Sequence, residues 1–266
     1  LGGHPDGLVE GADLLCLSGG VPADLPLAQQ ARRRGIPVSN DSQLFLEGCP
    51  ARTIGITGSA GKTTTTALLG EMSRRWAEAS GRRAWVGGNI GRPLLADLAS
   101  IDQDDLVVME LSSFQLEIMT LSPAIAVVLN LTPNHLDRHR TMDAYRSAKA
   151  RILDFQTPAD VAVLGAEDEG AWALRERVRG RLLAFAHRLP AGIDGAEIVD
   201  EAIGVRRGGA FHRVADRSII RLRGEHNLLN VLAACAAAAA AGLPEPVMAE
   251  AIAAFDLLCR LEGIIP

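Results

Sequence analysis

A chain of 266 residues has room for one large or two modest domains. Hydrophobic residues at 48% against 22% charged imply a packed globular core. A formal net charge of -5 excludes a general binder of nucleic acid or membrane surfaces, which carries a basic excess.

Cys16, Cys49, Cys235 and Cys259 are scattered without a Cys-x-x-Cys pair, which points away from zinc and disulfides and towards a reducing cytosol. No signal-peptide pattern opens the chain and its one long apolar run is alanine-dominated, so a cytoplasmic protein with no membrane segment is expected. The start at Leu1 rather than Met points to a cropped chain.

In chain order, "DLLCLSGG" (13–20), "TIGITG" (53–58), "AWVGG" (84–88), "LVVMEL" (106–111), "AIAVVLNL" (124–131) and "VAVLG" (161–165) read as strands. Several are apolar without alternation, as in parallel strands buried on both faces. Helical patterns over 62–79, 143–155 and 226–241 lie between or after them. This order predicts an α/β fold with a mostly parallel, doubly wound sheet and ligands at the strands' carboxyl ends.

The stretch 204–222, "GVRRGGAFHRVADRSIIRL", alternates and is rich in turns, which predicts antiparallel strands at the sheet edge. "CAAAAAAG" (235–242) reads as a closely packed helix stopped at Gly242. A boundary is expected at "EGCPAR" (47–52). Residues 1–50 would then be part of a small Rossmann-like domain, 51–255 a central domain, and 256–266 the start of a linker.

The chemistry concentrates in "GITGSAGKTTTT" (55–66). A strict phosphate loop would place Gly where Ile56 stands, so the motif is one residue short. Gly58 and Gly61 let backbone N–H groups around Ser59 and Ala60 point inward, Lys62 can reach a phosphate, and the Thr63 hydroxyl can ligate Mg²⁺. Taken alone, the loop leaves a nucleotide site and a plain strand-to-helix turn equally open.

Glu110 ends an apolar strand, where a second magnesium contact belongs, although a strand-end Glu facing solvent is the alternative. "LNLTPNHLDRH" (129–139) carries His135 and His139 at i,i+4 spacing, but no third ligand accompanies them, which argues against zinc. A single histidine, His135, helping to hold a hard cation or substrate fits better. In "TMDAYRSAKARILDF" (141–155), Thr141 or Asp143 caps a helix on which Tyr145 and Lys149 share a face. From its residues alone, Lys149 reads as a solvated helix lysine.

Together these motifs resemble the Mur ligase family, ATP-dependent enzymes that add amino acids to the peptidoglycan precursor. The shortened loop, here Thr57 to Thr63, is that family's form. "GGNIG" (87–91) and "ELSSFQLE" (110–117) resemble its branch that joins D-glutamate to UDP-N-acetylmuramoyl-L-alanine, and "NLTPNHLDRH", "YRSAKARI" and "GEHNLLN" follow in the same order.

The resemblance implies ATP phosphates on Gly58, Ser59, Ala60, Gly61, Lys62, Thr63 and Thr64, with Asn227 and Asn230 near the adenine. It implies one Mg²⁺ on Thr63 and Glu110, a second on His135 and a carbamylated Lys149, and substrate contacts from Asn89, Ser112 and His135. Catalysis would rest on Lys62, Glu110, His135 and Lys149 in a monomer acting through an acyl phosphate.

Asn134 stands where the family often has an acid, and "FDLLCRLE" (255–262) lacks the family's Pro and His, which leaves the role of Arg260 open. The resemblance also implies a further domain after this chain and a missing first strand-turn before it. Another Mur-type ligase, a folylpolyglutamate synthase, or a non-catalytic ATP-binding remnant are the alternative readings.

Overall fold

The structure, a computed structural model, describes residues 6–91, 93–132, 141–220 and 224–261. A short parallel pair, β1 (Leu15–Cys16) and β2 (Val38–Ser39), is linked by α1 (Pro26–Arg33) and followed by α2 (Asp41–Gly48). Val9, Leu27 and Ala31 form a separate small core there. Asn40 caps α2 by accepting from the Gln43 N–H at 2.8 Å.

The main sheet begins with β3 (Arg52–Thr57), which feeds α3 (Lys62–Ser80). β4 (Ala84–Gly88), β5 (Leu106–Glu110), α4 (Ser113–Ile118), β6 (Ile125–Val128), α5 (Met142–Asp154), β7 (Val161–Gly165), α6 (Glu169–Ala173) and β8 (Arg181–Phe185) follow. The chain then runs through β9 (Gly195–Val199), β10 (Ala202–Arg207), β11 (Ala210–Asp216), α7 (Glu225–Ala241) and α8 (Glu245–Leu261).

The nine strands are ordered β11-β10-β9-β8-β7-β6-β3-β5-β4. β3 to β9 pair in parallel and β10 is antiparallel to both its neighbours. The central parallel strands β3, β5, β6 and β7 are buried on both faces, and their alternation sorts residues between two cores. Ile54, Ile56, Val108, Val127 and Val163 meet α3, α7 and α8. Met109, Val128 and Leu164 meet α4 and α5. The alanine run of α7 is fully buried at Ala236, Ala237 and Ala238, as a helix packed closely on a sheet requires.

The mostly parallel sheet and the antiparallel edge agree with the sequence expectation. The first expected strand is only two residues long, and the strand expected over 124–131 stops at Val128. β8 and β9 are not among the strands expected from the sequence. α8 continues as helix through 256–261, where the sequence suggested a linker, because "EPVMAEAIAAFDLL" keeps a helical apolar spacing beyond Phe255.

Candidate functional site

β3 lies between β5 and β6, the point where successive crossovers leave in opposite directions, and ligands of open parallel sheets bind in that crevice. The loop after β3 is tied to the segment after β6. Ser59 N–H donates to the Asn130 carbonyl (2.9 Å), Ala60 N–H to Asn130 Oδ1 (2.9 Å), and the Ser59 hydroxyl to the Thr132 carbonyl (2.8 Å).

Gly61 holds φ +83°, a left-handed conformation that favours glycine, and a Cβ there would stand 2.2 Å from Asn230 Oδ1. It begins the 19-residue α3 without any side-chain cap, so the first-turn N–H groups are available to an anion. Lys62 Nζ donates to the Gly58 carbonyl at 3.1 Å, folding the ammonium back over the loop. Thr64, in the same first turn, is half-buried.

Glu110 ends β5 on the α3 side of the sheet and is 2% exposed. Its Oε2 accepts from the Thr63 hydroxyl at 2.9 Å and its Oε1 from Asn89 Nδ2 at 2.9 Å. Gly88 makes the approach possible: at φ +95°, a Cβ would lie 2.4 Å from the Glu110 carbonyl oxygen. A buried carboxylate beside a hydroxyl is a donor set for a hard cation. Among the described residues, no group of three or more His, Cys, Asp and Glu side chains converges as a metal cage. One carboxylate and one hydroxyl fit Mg²⁺ completed by phosphate oxygens and water.

Lys149 is not the solvated lysine its residues alone suggest. It is 2% exposed, with Nζ 3.3 Å from the Thr57 hydroxyl and 4.9 Å from the Tyr145 ring centroid. Burial, and then the nearby charge of Lys62, lower its pKa to about 7 against a smaller upward pull from Glu110. Tyr145, one turn away, donates its hydroxyl hydrogen to Ser59 Oγ at 2.9 Å. The α5 face thus carries both a near-neutral amine and a brace for the phosphate loop.

Beside the loop, a cavity of about 340 Å³ is lined by Ala60, Gly61, Asn130, Phe185, His226 and Asn230. Asn230 Nδ2 donates to Asn227 Oδ1 at 3.2 Å, so the two expected adenine-side residues form one unit. Ser112 caps α4: its hydroxyl accepts from the Gln115 N–H (3.2 Å) and donates to Gln115 Oε1 (2.9 Å). Gln115 Nε2 in turn donates to the Ser42 hydroxyl at 2.8 Å, joining α4 to α2.

A larger hollow of about 570 Å³ shares none of the phosphate-loop residues, and its Arg181 and Arg206 are already paired with Asp194 and Glu197. His135, with Asn134, Asp137 and His139, lies outside the described residues. Sequence reasoning missed Phe185, which sits on an unexpected strand. It also passed over Asn130, whose only signal is its place just past a strand end.

A parallel sheet with a glycine loop opening a helix at its switch point, and an acidic strand end beside that helix, defines a phosphate-loop α/β domain. Residues 56–238 match the Mur ligase middle domain, and the chain belongs to that family.

It is 46% identical over 91% of its length to UDP-N-acetylmuramoylalanine--D-glutamate ligase of Symbiobacterium thermophilum, covering 53% of that protein. It is 41% identical over 99% of its length to the ligase of the same name from Pelotomaculum thermopropionicum, covering 57% of it. The chain therefore spans about half the length of these curated relatives. Its fold is similar to a solved UDP-N-acetylmuramate:L-alanyl-gamma-D-glutamyl-meso-diaminopimelate ligase from Neisseria meningitides. That likeness has a TM-score of 0.61 at 20% identity and covers 91% of this chain and 78% of the other. No helix among the described residues is long and apolar enough to cross a membrane.

Burial of Lys149 has a consequence for stability. In the unfolded chain its amine titrates near the ordinary 10.5, and in the fold near 7. Between those values the unfolded state holds the extra proton, so this residue makes stability rise with pH from about 7 to about 10.5. Lys149→Met should flatten that rise and be the more stable protein at pH 7, by on the order of a few kcal/mol. Urea denaturation of both proteins at pH 7 and pH 9 checks this. A parent whose pH dependence matches that of the variant contradicts it.

Proposed function

We propose that the chain is the ATP-binding part of a ligase that joins D-glutamate to UDP-N-acetylmuramoyl-L-alanine in the cytoplasm. The observation that carries this reading is the convergence of Lys62, Thr63 and the buried Glu110 at the switch point of the sheet. The two curated relatives add the substrates, by the names they bear.

In this reading the backbone of Gly58 to Gly61 and the side chain of Lys62 hold the ATP phosphates, with Thr64 in the same turn. The cavity at Asn227 and Asn230 takes the nucleoside. Thr63 and Glu110 hold Mg²⁺, which neutralises charge on the phosphates when bound. Asn89 and Ser112 serve the muramoyl substrate near that centre. We assign residues 1–50 to a uridine-nucleotide domain and 51–255 to the ATP domain, in a protein that acts as a monomer.

The substrate alanine carboxylate attacks the γ-phosphorus, giving acyl phosphate and ADP. The D-glutamate amine then attacks the acyl carbon, loses a proton, and inorganic phosphate leaves from the tetrahedral intermediate. Lys62 stays fixed beside the transferring group, where preorganised charge lowers the barrier. An amine with a pKa of about 7 is largely neutral at slightly alkaline pH, as its reaction with CO₂ to a carbamate requires, and this supports a carbamylated Lys149 as a second anionic ligand beside His135.

Mg²⁺-ATP at a hundred times its dissociation constant should stabilise this chain by about 2.7 kcal/mol, seen as a raised Tm. Lys62→Ala should lose that shift. An unmoved Tm in the parent at saturating nucleotide would contradict the reading.

In the complete enzyme, phosphate release with both substrates separates the two roles of Lys149. Arginine keeps its positive charge and cannot be carbamylated, so Lys149→Arg should be nearly inactive. Lys149→Glu, which supplies a carboxylate, should retain weak activity indifferent to bicarbonate. An active Lys149→Arg enzyme would sink the carbamate.

A further inference from the structure

His187 follows β8 and stands between two carboxylates from different elements. Its Nδ1 lies 2.8 Å from Glu167 Oε1 and its backbone N–H donates to the same oxygen at 2.7 Å. On the opposite side of the ring, Nε2 lies 3.0 Å from Oε2 of Glu225. Arg217 Nη2 donates to the other oxygen, Glu225 Oε1, at 2.8 Å. A neutral imidazole has one N–H, and an ionised carboxylate only accepts, so satisfying both neighbours requires the doubly protonated ring.

Both carboxylates connect to the cavity of about 340 Å³ beside the loop, one directly and one through its helix. Glu167 lines it directly. Glu225 is the first residue of α7, followed immediately by the cavity-lining His226 and then by Asn227 and Asn230. Asn230 is the residue that Gly61 of the phosphate loop nearly touches. Holding Glu225 in place therefore holds the first turn of α7 against the loop. The adjoining strand β9 offers no competing charge, because its Glu197 turns to Arg206.

We propose that protonated His187, clasped between Glu167 and Glu225, is a positioning residue that seats the first turn of α7 beside the phosphate loop and so sets nucleotide affinity. This rests on the reading of the cavity as a nucleotide site. Burial pulls the imidazole down, but the hydrogen bonds and charges of Glu167 and Glu225 outweigh it and leave it above the ordinary 6.5. The clasp is then complete below 6.5 and is lost as pH rises through the raised value. Its three side chains are each more than a third exposed, so salt weakens it.

The test uses the whole 266-residue chain. Titration calorimetry with Mg²⁺-ATP from pH 6 to 9 compares the parent with His187→Gln and His187→Arg. At pH 6 the parent should bind about three- to tenfold more tightly than His187→Gln, the worth of one charge-assisted contact, and the two should converge by pH 9. Arginine keeps two donor faces and a fixed charge, so His187→Arg should hold the tighter affinity at every pH. A constant gap between parent and His187→Gln, or no gap, overturns the clasp.

NMR titration of the His187 ring gives a reading independent of nucleotide: Glu225→Gln should lower its midpoint, and an unchanged midpoint overturns the clasp as well. A parent that binds no nucleotide at any pH, yet shows the shifted midpoint, would instead overturn the nucleotide reading and the clasp's role in affinity.

Discussion

Hydrogen bonding of β3 to β5 on one side and β6 on the other fixes most of what surrounds the loop. Within that register, Ile54 and Ile56 face α3 while Thr57 faces α5, so the strand delivers a loop with one helix on each side of the sheet. Ile56 opposes Glu110 across the β3–β5 pairing, which sets the carboxylate level with the start of the loop. A slip of one residue would turn Glu110 to the α5 face and separate it from Thr63. The glycines at 58, 61 and 88 then permit approaches that any Cβ would block.

The site gathers like charges at a cost that the surrounding fold must offset. Two lysines, Lys62 and Lys149, lie near one carboxylate, Glu110, and no described acidic group is placed to pair with Lys149 at ion-pair distance. Burial and the neighbouring Lys62 charge lower the Lys149 pKa to about 7, so the buried amine gives up its proton far more readily than a solvated lysine. The Glu110 carboxylate is kept by two neutral donors, Asn89 and Thr63, which leaves its charge unspent. Such an arrangement is poised for a highly charged anionic ligand with its cation, whose arrival balances both signs.

Much of the fold was legible because parallel central strands appear as unbroken apolar runs, as in "LVVME" and "VAVLG". "GAEIV" escaped because Glu197 breaks its apolar run, whereas "LLAF" within "RLLAF" is an apolar run as clear as the others and was simply passed over. The loop, Glu110 and Asn89 were legible as ordered motifs. The burial of Lys149 was not, because the hydroxyl it meets lies 92 residues earlier in the chain. Likewise the bridge from His187 to Glu167 and Glu225 joins residues 20 and 38 positions apart, and nothing in local periodicity marks it.

In the proposed nucleotide site this loop grips the phosphates more than the nucleoside. Titrating the chain with ATP, ADP, AMP and adenosine at constant Mg²⁺ measures that directly. Affinity should fall stepwise as phosphates are removed and be weakest for adenosine, with Lys62→Ala flattening the series. Equal affinity for ATP and adenosine would contradict the account.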